Sequence, residues 1–386
     1  MKLGKMPFLL LFIMFATPFI EPVMCLSGQR FFLGISLAIK EIILFLLPFV
    51  IFMLLFGACV YFSKNAPRII ARILLLICLS NLVTTSVGSG IGLLFYKAPM
   101  AFASPSTVTE LLPLFAVRLP VIIRNDLAML SGILAGILLP RYFTNFSQRA
   151  NEIFIRLIAK ILRAISYSLP AFIFGFTLKI CHEGSLVAFF RNYAVPFGIV
   201  IVVSLLYILF LYAWAVGFSG RVLCRCVKNM IPAVSCAFCT MSSAATMPIT
   251  IECVGRNGRD KTLARSMVPM SANVHLIGNN FTIAILAFAI MAGHRIPFPS
   301  ILSIGAFIIW TLVAKFSVVG IPGGSILVML PILERYLQFN GEMCSTVFAI
   351  NMFACPIITA LNVLGNGAFA LLAEKLCILQ NSRPQN

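Results

Sequence analysis

The chain has 386 residues, of which 61% are apolar and 10% are charged, and its formal net charge is +18. A soluble globular domain carries about 25% charged residues, so this composition excludes one and indicates a polytopic membrane protein. The Lys and Arg residues are scattered in short loops rather than along one face, which argues against nucleic-acid binding. They collect in alternate loops, so the positive-inside rule predicts an inner-membrane protein with cytoplasmic N- and C-termini.

Apolar runs of about 20 residues, long enough to cross a bilayer, recur along almost the whole chain. The first half predicts six spans, the first of which is a retained span rather than a cleaved signal peptide because no cleavage site follows it. The six lie near 7–26, 32–62, 68–96, 112–140 (interrupted), 153–181 and 192–218.

The second half differs because Gly, Pro, Ser, Asn and Lys break its apolar stretches. Two broken stretches, 229–254 and 300–338, are each followed by a long apolar helix that is itself interrupted, over 264–292 and 343–378. Such duplication is typical of secondary transporters, in which irregular backbone at membrane depth lines a cavity. Unpaired backbone groups are costly in hydrocarbon, so we expect a polar substrate or ion to meet them.

Three motifs of the second half carry a family resemblance. The run A-F-C-T-M-S-S-A-A-T-M-P-I-T at 237–250 resembles the first re-entrant hairpin of the dicarboxylate/amino acid:cation symporter family. The run V-G-I-P-G-G-S at 319–325 resembles the tip of that family's second hairpin, and T-A-L-N-V-L-G at 359–365 resembles the substrate-binding stretch of its eighth span. The chain is identified as a divergent member, with a close resemblance over 225–378.

The resemblance implies an all-α polytopic membrane protein with eight transmembrane helices and two re-entrant helical hairpins, the glutamate-transporter-like fold. It also implies a homotrimer within membrane lipid. Residues 1–66 (spans 1–2) and 99–186 (spans 4–5) would form a scaffold that holds a moving transport domain. That domain would comprise span 3 (67–98) and residues 187–386. The expected partner is a small-molecule substrate, with no nucleic acid, no cofactor and no bound metal, and sodium or a proton is the coupling ion that the family suggests.

The same resemblance locates the substrate between the two hairpin tips and the broken seventh and eighth helices. Ser242 and Ser243 match the serines that bind the substrate carboxylate, and helix N-termini favour anions. Close helix packing is the other explanation for these serines. The implied substrate site consists of Ser242, Ser243, Gly320, Cys355, Ile358, Thr359 and Asn362.

The facing half of the site departs from the family pattern at its charged positions. The family's seventh-span motif N-M-D-G-T is replaced by H-L-I-G-N at 275–279. The missing groups are two sodium-binding aspartates, the aspartate that holds the substrate amino group and the arginine that selects an acidic side chain. They correspond to Ile277, Asn366, Cys355 and Ile358. Hard cations prefer carboxylate oxygens, so we expect no tight sodium coupling, and we expect a monocarboxylate or a largely apolar neutral solute rather than aspartate or glutamate.

An ion site is implied on the same helices by Asn273, His275, Lys315, Asn362 and Asn366. Lys315 falls where the family's second hairpin contributes to a sodium site. Its ammonium therefore either replaces that ion or reaches a water-filled interface. His275 is either a proton carrier, because histidine titrates near neutral pH, or a hydrogen-bonded helix residue.

The sequence thus predicts a secondary active, symporter-like transporter of a small organic solute, a carboxylate or an amino acid, that works by an elevator-type movement. An uncoupled facilitator or anion pathway and a degenerate, non-transporting homologue stay open, because the expected cation ligands are missing. An intramembrane serine hydrolase would pair Ser242 or Ser243 with His275. The chain has no G-x-S-x-G context for such chemistry, and we predict that it is not an enzyme.

Overall fold

The computed structural model describes residues 6–64, 67–97, 111–120, 122–123, 125–182, 186–318 and 323–381, and these residues form helices and no strand. Short 3-10 segments, Glu21–Val23 and Leu94–Tyr96, extend two of the helices. The helices are α1 (Met6–Ile20), α2 (Leu26–Lys64), α3 (Pro67–Leu93), α4 (Asn125–Tyr142), α5 (Thr144–His182), α6 (Leu186–Val216), α7 (Gly220–Thr240), α8 (Ser243–Asn257), α9 (Lys261–Ser271), α10 (Ile277–Gly293), α11 (Ile301–Lys315), α12 (Gly324–Leu337) and α13 (Gly341–Asn381).

The first six helices follow the six apolar runs predicted for the first half, with one clear difference. Residues 111–120 of the fourth run are not helical, and α4 begins only at Asn125. Pro113 and Pro120 lie in this segment, and proline supplies no amide hydrogen to a helix interior. The fourth run therefore provides one helix of 18 residues that covers only its second part.

The two broken stretches of the second half form two helix pairs, as predicted. Helices α7 and α8 pack against each other, and so do α11 and α12. The first pair is interrupted at Met241, whose φ of 49° is in the left-handed region. Pro248 lies inside α8 rather than at this interruption.

The predicted interruption of the seventh span is confirmed, and that of the eighth is wrong. Residues 272–276 separate α9 from α10, whereas α13 is one helix of 41 residues that continues through Pro356. Helices α6, α7, α8, α9 and α10 all pack on α13. Neighbouring helices allow a proline inside a membrane helix, because they satisfy the backbone groups that it frees.

Two packing groups position the site. Helix α2 packs on α4 and α5, while α10 packs on α3, α6 and α13. Among the described residues, three segments are long and apolar enough to cross a membrane by length and composition: Arg72–Tyr96, Asn192–Val216 and Gly341–Leu376. The last segment is largely buried by protein, so the site on α13 lies within the helical packing rather than on its outer surface.

Candidate functional site

The turn between α7 and α8 contains the serines predicted from sequence. The Thr246 hydroxyl donates to the Ser242 carbonyl at 2.8 Å, and the Thr246 amide donates to the same oxygen at 3.1 Å. Ser243 is buried and is the first residue of α8. The first amides of a helix have no partner within it and carry partial positive charge. The turn therefore presents donors at the start of α8.

The turn before α12 ends at Gly323, which has a φ of +71°. A Cβ at this position would lie 2.6 Å from the Met352 sulfur on α13, so both the backbone conformation and the space favour glycine. The α12 N-terminus at Gly324 follows directly. Gly320, a predicted substrate-site residue, lies outside the described residues.

Three predicted site residues form a stripe on α13. Cys355, Thr359 and Asn362 are all buried and recur at helical spacing, so they share one face. The Cys355 sulfur lies 3.7 Å from the Thr359 hydroxyl and 4.0 Å from the Met241 carbonyl oxygen. The backbone of Gly323 also lies beside this thiol. Cys355 therefore lies where the two turns meet.

The start of α10 is held close to this stripe. The Asn279 amide donates to the Asn362 side-chain oxygen at 3.2 Å. A Cβ at Gly278 would lie 2.8 Å from the Leu361 Cβ and 2.9 Å from the carbonyl oxygen of Ile358, so only glycine permits this approach. Ile358, placed by resemblance where the family has arginine, is buried and offers the site no charge.

Lys315, at the end of α11, is fully buried. Its Nζ donates to the Asn279 side-chain oxygen at 3.1 Å and lies 3.5 Å from the Ser325 hydroxyl. The Ser325 hydroxyl donates to the same Asn279 oxygen at 2.5 Å. Asn279 on α10 thus joins α11 and α12 through its side-chain oxygen and α13 through its backbone amide, which donates to Asn362.

His275 belongs to a second polar group, on the side of α3. Its ring is fully buried, its Nε2 lies 2.8 Å from the Ser80 hydroxyl, and that hydroxyl lies 3.0 Å from the Tyr207 hydroxyl. The ring packs 4.4 Å from the Phe369 ring, centroid to centroid. Asn366 lies beside the imidazole. His275 and Asn366 are therefore together, while Lys315 belongs to the first group.

Side chains of α3 hold the break between α9 and α10, and the sequence reasoning missed them. The Asn81 side chain donates to the Val274 carbonyl at 2.9 Å. The Asn280 side chain donates at 2.9 Å to both the Asn81 oxygen and the Thr84 hydroxyl. The signal was the polar run S-N-L-V-T-T-S inside an otherwise apolar span. Asn279 and Ser325 were also missing from the predicted site.

The described residues supply neutral oxygens as possible ligands for a cation, and they contain no cluster of carboxylates. Buried amide oxygens of Asn273, Asn280 and Asn366 have no partner among these residues. No group of three or more His, Cys, Asp or Glu side chains is found in the described ranges. Ile277, where the family has a sodium-binding aspartate, is fully buried and apolar. The site does not fit a sodium ion whose charge is balanced by carboxylates.

Comparison with known proteins identifies the family. The model of the sodium:dicarboxylate symporter family matches residues 118–376, two thirds of the chain. The chain belongs to this family. The match covers α4 to most of α13, including both helix pairs, and the family is one of transporters rather than enzymes. His275 contacts Ser80, on a different helix from the serines that the hydrolase alternative needed.

Individual relatives match a shorter part of the chain. Excitatory amino acid transporter 1 of Ambystoma tigrinum is 28% identical over 153 residues, 39% of this chain and 27% of that protein. Excitatory amino acid transporter 5 of Mus musculus is 25% identical over 154 residues, 39% of this chain and 27% of the relative. A putative sodium-dependent excitatory amino acid transporter, glt-4, of Caenorhabditis elegans is 26% identical over 155 residues, 39% of this chain and 30% of the relative. Each match spans less than a third of the relative.

Proposed function

We propose that the protein is a secondary transporter of a small organic solute that carries a carboxylate. The strongest support for this proposal is that the turn between α7 and α8 and the turn before α12 meet at Cys355. Met241, in the turn before α8, and Gly323, directly before α12, both lie beside Cys355 of the α13 stripe. Two helix N-termini supply free backbone donors and partial positive charge, which suit an anionic group. Family membership favours transport as the use of this site.

The proposed substrate site keeps the predicted residues. Ser242 and Ser243 donate to the carboxylate at the α7–α8 turn, and Thr359 and Asn362 contact the rest of the solute from α13. Cys355 and Ile358 make the facing wall less polar than a site built around aspartate and arginine. We therefore favour a monocarboxylate, or a neutral and largely apolar amino acid, over aspartate and glutamate.

The proposed mechanism is an elevator-type movement of a transport domain within a homotrimer of eight-span subunits. Residues 1–66 and 99–186 form the scaffold in this proposal, and residues 67–98 and 187–386 form the moving part. The closer packing of α2 with α4 and α5, and of α10 with α3 and α13, supports this division. Both termini are cytoplasmic in the proposed topology, which follows from the distribution of Lys and Arg.

The coupling ion is proposed as sodium or a proton, with an uncoupled facilitator as the second candidate. The family description favours sodium, and the buried oxygens of Asn273 and Asn366 supply neutral ligands. His275 is the candidate proton carrier, because imidazole can accept a proton and its Nε2 lies 2.8 Å from the Ser80 hydroxyl. The apolar Ile277 and the neutral Asn366 favour the uncoupled form, because they supply no charge to hold a cation.

Uptake by the purified protein in liposomes tests the proposal. Labelled L-lactate, succinate, L-alanine and L-aspartate are offered with an inward sodium gradient, an inward proton gradient, both gradients or none. Accumulation above equilibrium supports coupled transport, and equilibration alone supports the facilitator. Ser243→Ala is expected to reduce uptake severalfold through the lost donor. The control is Ser345→Ala. Ser345 is also buried, but its hydroxyl donates to the Gly341 carbonyl of its own helix. No specific uptake of any of these solutes would refute the proposal.

A further inference from the structure

Lys315 is an unusual residue for the interior of this protein. Its side chain is fully buried, and the hydrogen-bonding partners among the described residues are the neutral side chains of Asn279 and Ser325. Among the residues that the structure describes, no carboxylate lies within ion-pair distance of its Nζ. A buried charge without a counter-charge is costly, so such a residue within a membrane protein is functional by default.

Within the described residues, the ammonium has one clear hydrogen bond and one marginal contact. A lysine ammonium has three N–H donors. One bonds the Asn279 oxygen at 3.1 Å, and the contact with Ser325 at 3.5 Å is at the limit of a hydrogen bond. The Ser325 hydroxyl donates its own hydrogen to Asn279 at 2.5 Å. In the described part of the chain, the Lys315 side chain therefore keeps donor capacity for a further acceptor.

The ammonium adjoins the proposed substrate site through a short chain of contacts. Asn279 binds Lys315 with its side chain and Asn362 with its backbone amide. Asn362 is on the same face of α13 as Thr359, one turn away. Ser325, the other contact of Lys315, is in the first turn of α12, directly after the turn that reaches Cys355.

We infer that Lys315 is a built-in cation that balances the charge of a bound monocarboxylate, so that this substrate binds without sodium. This inference rests on the proposed function and narrows its substrate to a solute of net charge −1. The other named side chains of the site, on α8, α12 and α13, are neutral Ser, Thr, Asn and Cys. One ammonium and one carboxylate then sum to zero charge.

Other combinations leave a net charge in the site. A dicarboxylate leaves one uncompensated negative charge. A sodium ion, bound in addition to a monocarboxylate, leaves one positive charge. Like charges at short range in a medium of low dielectric constant disfavour the second cation. The fixed ammonium therefore explains how the site does without the carboxylates that a bound sodium ion would need for charge balance.

Ligand-induced thermal stabilisation of the purified protein tests this inference, because a ligand of the folded state raises its apparent stability. The monoanions acetate, L-lactate, pyruvate and benzoate, the dianion succinate and the uncharged analogue L-lactamide are each added in sodium chloride or choline chloride. We expect a monoanion to stabilise the protein equally in both salts, and L-lactamide and succinate to have much smaller effects.

Two variants abolish the uncompensated positive charge of Lys315 in different ways, and a third variant keeps it. Asn279→Asp keeps the shape of the side chain and gives Lys315 an internal carboxylate partner, so it is expected to fold and to bind the monoanion at least about tenfold more weakly. Lys315→Met removes the charge, with the same expected loss, and Lys315→Arg retains it. The control is Lys97→Met, at an exposed lysine after α3, which is expected to bind as the wild type does.

The outcomes separate this inference from the proposed function. Stabilisation or uptake that requires sodium would overturn the fixed cation and leave a transporter in place. Unchanged binding by a folded Asn279→Asp protein would do the same, as would a preference for succinate. If no probe stabilises the protein or enters liposomes in either salt, both proposals are refuted.

Discussion

Replacing Gly278 with alanine is expected to separate α10 from α13 and to weaken the site. The new Cβ would lie 2.8 Å from the Leu361 Cβ, and ordinary contact begins at 3.4 Å, so the helices must move apart by about 0.6 Å. If the helices move apart along the hydrogen bond from the Asn279 backbone amide to the Asn362 side-chain oxygen, that bond lengthens from 3.2 Å to about 3.8 Å, beyond hydrogen-bonding distance. Overpacking costs about 1–3 kcal/mol, and a lost hydrogen bond costs about 1 kcal/mol.

Alanine also has an intrinsic advantage over glycine in a helix of about 1 kcal/mol, which offsets part of this loss. The net destabilisation expected for Gly278→Ala is therefore about 1–3 kcal/mol, measured by thermal unfolding in detergent together with ligand binding. Gly305→Ala on α11 is the matched control, because no atom lies within 4 Å of its new Cβ. The reasoning fails if Gly278→Ala melts at or above the wild-type temperature and binds its ligand normally.

Two further substitutions test other parts of the site and fold. If His275 carries the coupled proton, His275→Gln abolishes the dependence of uptake on a pH gradient, and an unchanged dependence removes that role. Glu374, on α13, accepts the Asp260 amide before α9, so Glu374→Gln is expected to cost roughly 1 kcal/mol through a weaker hydrogen bond. Glu252→Gln is its control, because the exposed pair of Glu252 with Arg256 contributes little; equal melting temperatures for the two variants would contradict this account.

The helical course of the chain was predictable where local signals were strong. The apolar runs located the helices of the first half, and the serines after Thr240 and the glycines and proline before Gly324 located both helix pairs. The prediction failed at Pro356, because local composition suggested a break that tertiary packing overrides. Helices α6 to α10 and α12 pack around α13 and support it through this proline. A sequence pattern reports local preference and does not report which neighbours surround a helix.

The site was predictable only in the part that the motifs supplied. The motifs located Ser243 and the α13 stripe, but Asn279 and Ser325 became visible only when three helices were brought together. Both are ordinary polar residues in sequence, and their role arises from contact with Lys315. The contact of His275 with Ser80, which is 195 positions away along the chain, is likewise a product of tertiary structure.

A cation fixed on Lys315 changes what the membrane potential does to the proposed transport cycle. The loaded moving domain has a neutral site, whereas the unloaded domain carries one positive charge, and a full charge crossing 100 mV is worth about 2.3 kcal/mol. A potential that is negative inside therefore retains the unloaded domain at the inner face. Exchange of internal for external monocarboxylate avoids this step, so we expect exchange to be faster than net uptake. We expect the difference to grow when potassium and valinomycin impose an inside-negative potential on the liposomes. Equal rates of exchange and net uptake at every potential would show that the returning domain carries no such charge.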